Sequence, residues 1–512
     1  MTLIKSIITA IAAERMWLCI SACCAFYALV GCEGAGAYYS ANPGHRLAFS
    51  VDTLSFDTIF SAAGSTTRQF MVYNPNSEAL RIETVSLANP GKSGFRINVD
   101  GRKGDTFRDV DIWKKDSLYV FVEVTVDPNG AERPLIVEDS VLFYVNGIRQ
   151  SVLLQAYGQD VHLLKGGVTI TRDTAFAADI PYLIYDSLKI AEGVTVTVEK
   201  GVIMYMHSGA NLIVDGTIKV KGTQDAPVVI RGDRLDHIKT SVLLPYDLTP
   251  GQWGGICFGA SGFEHEFDYV IVRNGMTGLT FCESQPDRIK MNIRNSQITN
   301  MGNKLLTAVN CHIEASNSEF TNAKDSTITL VGGKYQFTHC TIATLGILGG
   351  RGANAPSLIL SGRQGTDESR TPCPLQQAYF DNCIVDGGHS ADSTHLFGGE
   401  ILFDADEQYM QGDDRMFNYR FNSCFIKTAR QSNERFVRSL FITSPSYLKT
   451  GAKEDGYVFD FRLKNKSVGI GKADRAVSEQ YPVDRYGVNR LTAEEGASIG
   501  AYEYVYQKEE ND

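Results

Sequence analysis

Three stretches of the chain, NIRNSQITN, EASNSEFTN and QFTHCTIAT, carry Asn295, Asn317 and His339 at matching positions, at steps of 22 residues. A unit of that length holds a few short strands and cannot bury a core alone, so successive units must stack on one another. Strand side chains alternate between faces, so residues two apart share a face. Extending the alignment puts Val272, Ile298, Phe320, Ile342, Val385 and Ile426 in one column. Two residues earlier stand Val270, Ser296, Ser318, Cys340, Cys383 and Cys424. One column is bulky and apolar and the other is small, as two inner rows of a stacked core would be. The column between them, Ile271, Gln297, Glu319, Thr341, Ile384 and Phe425, is mixed and reads as an outer face. Asn295, Asn317, His339 and Asn382, just before the small column, are types that tolerate tight turns. Cys340, Cys383 and Cys424 therefore read as small core residues, and no Cys-x-x-Cys pair of a zinc site accompanies them.

Upstream, IAEGVTVTVEKGVIMYMHSGANLIVDGTIKVKG is punctuated by Gly193, Gly201, Gly209, Gly216 and Gly222, with Val- and Ile-rich runs between. Three short strands per turn of about 22 residues is the pattern of a parallel β-helix. The segment, followed by GQWGGICFG around Trp253, resembles the opening coils of the right-handed parallel β-helix (pectin-lyase-like) superfamily. KSVGIGKAD, DRYGVNR and SIGAYEY resemble the C-terminal coils of β-helix surface proteins of the choice-of-anchor Q type. Together these resemblances cover residues 166–504 and imply a solenoid of about ten to thirteen coils, roughly 50 to 60 Å long at about 4.8 Å per strand. They imply little about chemistry, because such a fold hosts many unrelated functions.

Residues 45–165 read as a separate all-β domain. LYVFVEVTV alternates apolar and polar residues, and Asn146-Gly147 is the dipeptide that supplies the positive φ angles of a hairpin turn. With VYNPN early and LQAYGQD closing, the segment resembles immunoglobulin-like β-sandwich domains of the ASPM, SPD-2 and hydin type, which implies a spacer or adhesive module. The fold class expected for the whole chain is thus all-β: an N-terminal β-sandwich followed by a right-handed parallel β-helix.

The N-terminus belongs to another regime. MWLCISACCAFYALV, Met16 to Val30, has no charge but is short for a bilayer span, so it fits the core of a signal peptide. LVGC, ending at Cys32, resembles the lipobox of bacterial lipoproteins. That resemblance implies a signal peptide over 1–31, lipidation of Cys32, a linker over 32–44, and export to the cell envelope with the bilayer as a partner. It places the anchor at the outer membrane and leaves periplasmic and surface-facing orientations open. A polar tail, 505–512, closes the chain. Of eleven cysteines, Cys19, Cys23 and Cys24 leave with the signal and Cys32 carries lipid, leaving an odd number that cannot all pair internally. A formal charge of −10 argues against a nucleic-acid partner, which needs clustered Lys and Arg.

Catalysis by a polysaccharide lyase would require a base and positive groups to neutralise a uronate, and Ca²⁺ would require clustered oxygen ligands. One cluster offers them: DADEQYMQGDDR supplies Asp404, Asp406, Glu407, Asp413 and Asp414, with Arg415 and Arg420 beyond. Asp404, Asp406, Arg415 and Arg420 are the catalytic candidates, and the five acids are the candidate Ca²⁺ ligands; a solvated acidic loop explains them as well. DGGHSADSTH adds Asp386, His389, Asp392 and His395, and FEHEF adds Glu264 and Glu266 opposite His265. The catalytic motifs of the β-helix families are incomplete. RTPCPL has Arg370 and Pro372 of a pectate lyase stretch but Leu375 in place of its last arginine, and Arg288-Ile289-Lys290 and Asp413-Asp414 stand in the reverse of the polygalacturonase order. The chain therefore reads as a recognition or structural protein whose partner is a polysaccharide or a cell-surface protein. The alternative is a lyase or hydrolase acting on uronic-acid polymers.

Overall fold

A computed structural model of the chain describes residues 38–61, 63–128, 135–239, 243–365, 369–392, 398–406, 415–429, 434–441 and 444–508. Strands dominate, and no helix among the described residues is long and apolar enough to cross a membrane. The chain divides into two compact units at about residue 158.

The first unit holds two five-stranded sheets. One is ordered Ala48–Phe49, Arg68–Tyr73, Ser117–Val124, Phe95–Val99, Arg102–Gly104; the other is ordered Thr53–Phe60, Ile148–Gln159, Leu135–Val145, Leu80–Leu87, Thr106–Ile112. The alternation in LYVFVEVTV is realised: Leu118, Val120, Val122 and Val124 are buried, while Tyr119, Phe121 and Glu123 face outward. Inward residues of both sheets, among them Phe70, Val120, Ile82 and Phe143, join one hydrophobic cluster. Asn146 and Gly147 take φ of 50° and 74°, the pair of positive values a two-residue hairpin requires. Tyr39, in the stretch read as a linker, bridges Ala79 and lies under the Arg81 guanidinium, 4.1 Å from its ring centre.

The second unit contains three long parallel sheets of ten, nine and ten strands. The chain visits them in rotation until its last two strands, where Phe425–Ile426 of the first sheet is followed by Phe436–Val437 of the third. His162–Leu164 enters the first sheet, Val168–Ile170 the second and Thr174–Phe176 the third, and the next strand, Tyr182–Ile184, pairs in parallel with His162–Leu164. This order is consistent with a parallel β-helix. Ten strands make nine steps of about 4.8 Å, a stack of about 43 Å, and residues 444–508 add no strand to it.

The columns read from sequence are registers of the first sheet. Val272, Ile298, Phe320, Ile342, Val385 and Ile426 pair successively, and all are fully buried. Tyr269, Asn295, Asn317, His339, Asn382 and Ser423 all have φ between 48° and 56°, so these six coils turn from the third sheet into the first through one left-handed residue.

The small column does more than fill space. Ser296 and Ser318 Oγ donate to the carbonyls of Arg294 and Ser316, and Cys340, Cys383 and Cys424 Sγ donate likewise two residues back. Four of these γ atoms also accept from the preceding coil: Val270 N reaches Ser296 Oγ at 3.1 Å, Ser296 N reaches Ser318 Oγ at 3.1 Å, Cys340 N reaches Cys383 Sγ at 3.4 Å, and Cys383 N reaches Cys424 Sγ at 3.3 Å. A side chain that is small, and both donor and acceptor, satisfies the backbone where the turn interrupts the sheet.

In-register stacking also aligns rings. Phe337, Phe380, Phe421 and Phe436 pile up in the core with centroid separations of 5.2, 4.8 and 5.2 Å and near-parallel planes. The strand spacing itself sets this distance, which lies within the range aromatic pairs favour. Glycines mark both turns and close approaches: Gly209 has φ of 79°, whereas a Cβ on Gly216 would fall 2.3 Å from the carbonyls of Ala191 and Val194.

Two expectations are corrected. The column between the inner rows is not an open outer face, because Glu319, Thr341, Ile384 and Phe425 are buried. What covers it is the segment expected to form terminal coils. The last strand of the parallel sheets is Phe436–Val437, and Tyr447, Phe461, Leu463, Ile499, Ala501 and Tyr502 instead cluster with Ile384, Phe425 and Ala343 on the outside of the first sheet. This strap is pinned by the left-handed column. Asn317 Nδ2 donates to Val483 O at 2.9 Å, Arg490 donates to Asn317 Oδ1 at 3.1 Å, and Tyr502 Oη donates to Glu319 at 2.5 Å. His339 lies 3.3 Å from Gly500 O through Nδ1 and 3.0 Å from Asn382 Nδ2 through Nε2; burial and the Arg490 charge hold it neutral, well below the ordinary histidine pKa.

Candidate functional site

With Glu319, Thr341, Ile384 and Phe425 of the first sheet covered, the third sheet presents a polar outer face. Its registers place Lys219, Glu266, Asn292, Glu314, Gln336, Tyr379 and Arg420 in one outward column across seven successive coils. All are half-buried: their inward neighbours belong to the core, while their own side chains reach solvent. Beside them runs a second column of the same parity, Lys221, Asp268, Arg294, Ser316, Thr338, Asp381 and Asn422, whose last four members are buried, with Asn422 bonded to Asp474 of the strap. Parallel in-register strands repeat such groups every 4.8 Å or so, which gives a regular ladder of donors and acceptors.

The ladder is most elaborate at its C-terminal end. The Arg420 guanidinium sits 4.4 Å from the Tyr379 ring centre and donates to Asp381 at 3.2 Å. Asp381 also accepts from Gln336 at 2.8 Å and Asn422 at 3.1 Å, and Asn418 donates to Tyr379 Oη at 3.1 Å. Tyr379 and Arg420 thus form a stacked aromatic–cation pair whose rim is already oriented by hydrogen bonds.

Arg420 is therefore not brought to Asp404. Asp404 ends a strand of the second sheet, Ile401–Asp404, and is held by Arg363 at 2.5 Å, Arg370 at 2.8 Å and Ser361 Oγ at 2.8 Å. Asp406 pairs with Arg363 at 3.2 Å. Burial alone would raise the Asp404 pKa, but the hydrogen bonds and charges of Ser361, Arg363 and Arg370 outweigh it and keep the carboxyl below its ordinary range. A carboxylate so held is ionised and its oxygens are engaged, which disfavours both a general acid and an open Ca²⁺ ligand there. The sequence could not reveal this, since Arg363 and Arg370 reach across from the preceding coil. Arg415 is exposed at the start of the turn into Phe417–Asn422. Glu407, Asp413, Asp414, His395 and Cys32 lie outside the described residues. Among the described residues, no group of three or more His, Cys, Asp or Glu could hold a metal ion.

Other sequence candidates have structural partners. Lys290 is fully buried and donates to the carbonyls of Gly259, Ala260 and Gly262. His265 is buried against the core, and burial with the Lys290 charge pushes its pKa down to about 3. Glu400, absent from the sequence candidates, is buried and paired with Arg351 at 2.6 Å, and it also accepts from Ser357 and His389 N. Asp386 lies beside this pair on the outer face of the first sheet, 1% exposed, facing Lys427 at 3.9 Å and Tyr447 of the strap. Burial raises its pKa to about 6, against the opposing pull of Gly387 N–H, Lys427 and Tyr447.

No family model and no curated protein matches the chain. Solved structures align with parts of it. A protein of unknown function from Porphyromonas gingivalis W83 is 14% identical over 22% of this chain and 46% of its own, with a TM-score of 0.17. A family 123 glycoside hydrolase from Clostridium perfringens is 10% identical over 22% of this chain and 26% of its own, with a TM-score of 0.17. The PapD-like domain 7 of human CEP192 is 11% identical over 25% of this chain and 95% of its own, with a TM-score of 0.16. Alignments of this extent support no argument about activity, and the chain spans less than half the length of the first two.

Proposed function

We propose that the chain is an exported lipoprotein, anchored to a cell-envelope membrane through acylated Cys32, that recognises an extended glycan without cleaving it. In this reading the three parallel sheets wind as a right-handed β-helix, and the first unit is an immunoglobulin-like sandwich. The observation that carries the proposal is the outward ladder from Lys219 to Arg420. A polymer of sugar residues presents hydroxyls at regular intervals, and a rigid sheet face with donors and acceptors at regular intervals complements it at little cost in ordering the protein. The stacked Tyr379–Arg420 pair supplies an apolar face and a charge at one end. Neutralisation of Asp404 by Arg363 and Arg370 favours recognition over β-elimination.

The test is affinity electrophoresis of the soluble chain, beginning after Cys32, against neutral and uronic-acid polysaccharides, with ultraviolet absorbance followed for unsaturated product. Retardation that weakens in Arg420→Ala and Tyr379→Ala, without rising absorbance, supports the proposal. Unsaturated product, or no retardation by any polymer, refutes it. Anchoring is tested separately by Cys32→Ala, which should move the full chain from the membrane to the soluble fraction.

A further inference from the structure

The first unit carries a feature that a spacer does not need. On the sheet containing Ser117–Val124, the outward row Gln69, Phe121, Asn98 and Lys103 runs straight across four strands. Arg96 and Glu123 face each other in the next row. Between these rows lies a cleft of about 430 Å³, lined by Phe121 and Asn98 with Arg96, Lys103, Asp105 and Glu123 around it. Its volume falls in the roughly 300–1,000 Å³ range of small-molecule sites. Tyr119, 44% exposed, stacks on Phe121 with centroids 6.0 Å apart and planes 27° from parallel, which extends the aromatic surface beyond the cleft.

We propose that this cleft is a second binding site, which takes a short stretch of uncharged hexopyranose glycan, with the C–H face of one sugar ring laid on Phe121 and its neighbour against Tyr119. Three observations favour that occupant. The rim carries two cations, Arg96 and Lys103, and two anions, Asp105 and Glu123, so it does not select a charged ligand. The same rim offers donors and acceptors on both sides, which suits hydroxyl groups that are both. The electron-rich ring faces attract polarised C–H bonds, and exposed aromatic surface of this kind on an otherwise polar sheet face marks an interaction site. Some of the rim is already oriented: Thr67 Oγ1 donates to Glu123 at 2.8 Å, and Arg96 donates to Thr125 Oγ1 at 2.9 Å. Asn98 Oδ1, buried in the cleft wall, accepts no hydrogen bond from the protein, so an acceptor remains to be used. The site deepens the glycan-recognition reading and rests on it, but is built from residues wholly separate from the Lys219–Arg420 ladder.

The experiment uses the full soluble chain, with laminarin as a neutral β-glucan, polygalacturonate as an acidic polymer, and an extended peptide library as a third probe. Laminarin is expected to retard the chain, with binding at least ten-fold weaker in Phe121→Ala and in Tyr119→Ala, and unchanged in Lys449→Ala, an exposed strap residue that belongs to neither site. Tyr119 is exposed, so its replacement tests the site without disturbing the core, and circular dichroism with a thermal melt confirms folding of both variants. Absence of laminarin binding, laminarin binding indifferent to Tyr119 and Phe121, or selection of peptides by the edge strand Arg102–Gly104 overturns the proposal. Loss of polymer binding only in Arg420→Ala and Tyr379→Ala would leave the ladder reading standing while sinking this one.

Discussion

Asp474 and Asn382, 92 residues apart, bond to each other twice: Asp474 N donates to Asn382 Oδ1 at 2.6 Å, and Asn382 Nδ2 donates to Asp474 O at 3.1 Å. Asn382 is also the left-handed residue of its coil, with φ of 56°, and its own carbonyl accepts from Gly500 N at 2.8 Å. One side chain thus turns the chain from the third sheet into the first and fastens the strap that covers the first sheet. Asn382→Gly keeps the turn and removes the side-chain bonds, at roughly 1 kcal/mol each, whereas Asn382→Ala adds a further penalty of about 1 kcal/mol for the left-handed backbone. The expected order of stability in urea is wild type, then Asn382→Gly, then Asn382→Ala, with early protease cleavage within 444–508 in both variants.

Arg490 is fully buried, donates to Asn317 Oδ1 and Ala501 O, and lies 3.6 Å from Glu503, which is also buried. Arg490→Met leaves Glu503 and Asn317 without their partner and should cost about 3–5 kcal/mol. Adding Glu503→Gln should recover part of that loss, because the stranded charge goes with it; full additivity of the two substitutions would contradict the pairing.

Asp386 titrates under the strap. Its folded pKa of about 6 exceeds the ordinary 3.8, so its stabilising proton is fully present below pH 3.8 and is lost as pH rises through 6. The shift corresponds to roughly 3 kcal/mol. Lys427 and Tyr447 face the carboxyl and offset part of the burial, and nearby Glu400 adds to the rise. The stability difference between wild type and Asp386→Asn should therefore move in favour of the variant between about pH 4 and pH 6 and level off above about pH 7. A difference that stays flat across that window excludes the burial effect.

The cysteine column can be exchanged for serine because serine already performs the same bonding at 296 and 318. Cys383→Ser should cost less than about 1.5 kcal/mol, while Cys383→Leu, which overfills a row bounded by Cys340 and Cys424, should cost about 1–3 kcal/mol. In the folded chain beginning after Cys32, a thiol reagent should modify Cys282 first, since it is exposed while Cys311, Cys340, Cys373, Cys383 and Cys424 are buried. Rapid labelling of Cys383 would show that the row is open.

The parts of the fold legible in the sequence are those that in-register pairing converts into columns. Val272 to Ile426, the small row beside it and the turn residues from Asn295 to Asn382 all obey a period that strand alternation makes visible. Phe337, Phe380 and Phe421 obeyed it too, three residues before each cysteine, and an alignment extended by three positions shows them. The strap is different. SIGAYEY has the glycine-punctuated look of a coil, and its true partners, Thr341, Ile384 and Asn382, lie more than a hundred residues upstream, where no local pattern points to them. The same holds for the acidic candidates: the charge of Asp404 is visible in sequence, but its arginines come from another coil. Tyr119 and Phe121 were visible as the outward half of an alternating strand, and only the register of Gln69, Asn98 and Lys103 across neighbouring strands makes them the wall of a cleft.

The strap also constrains how the chain can be assembled. Gln224 Nε2 bonds to Tyr486 O across 262 residues, and Tyr502 closes on Glu319 across 183. Coils can accrete one upon another as the polypeptide emerges, each on its predecessor, but the hydrophobic outer surface at Ala343, Ile384 and Phe425 stays bare until residues 444–508 arrive. A molecule interrupted near residue 440 would hold every strand of its three parallel sheets and yet be adhesive along one flank, so premature termination converts a finished-looking scaffold into an aggregation hazard.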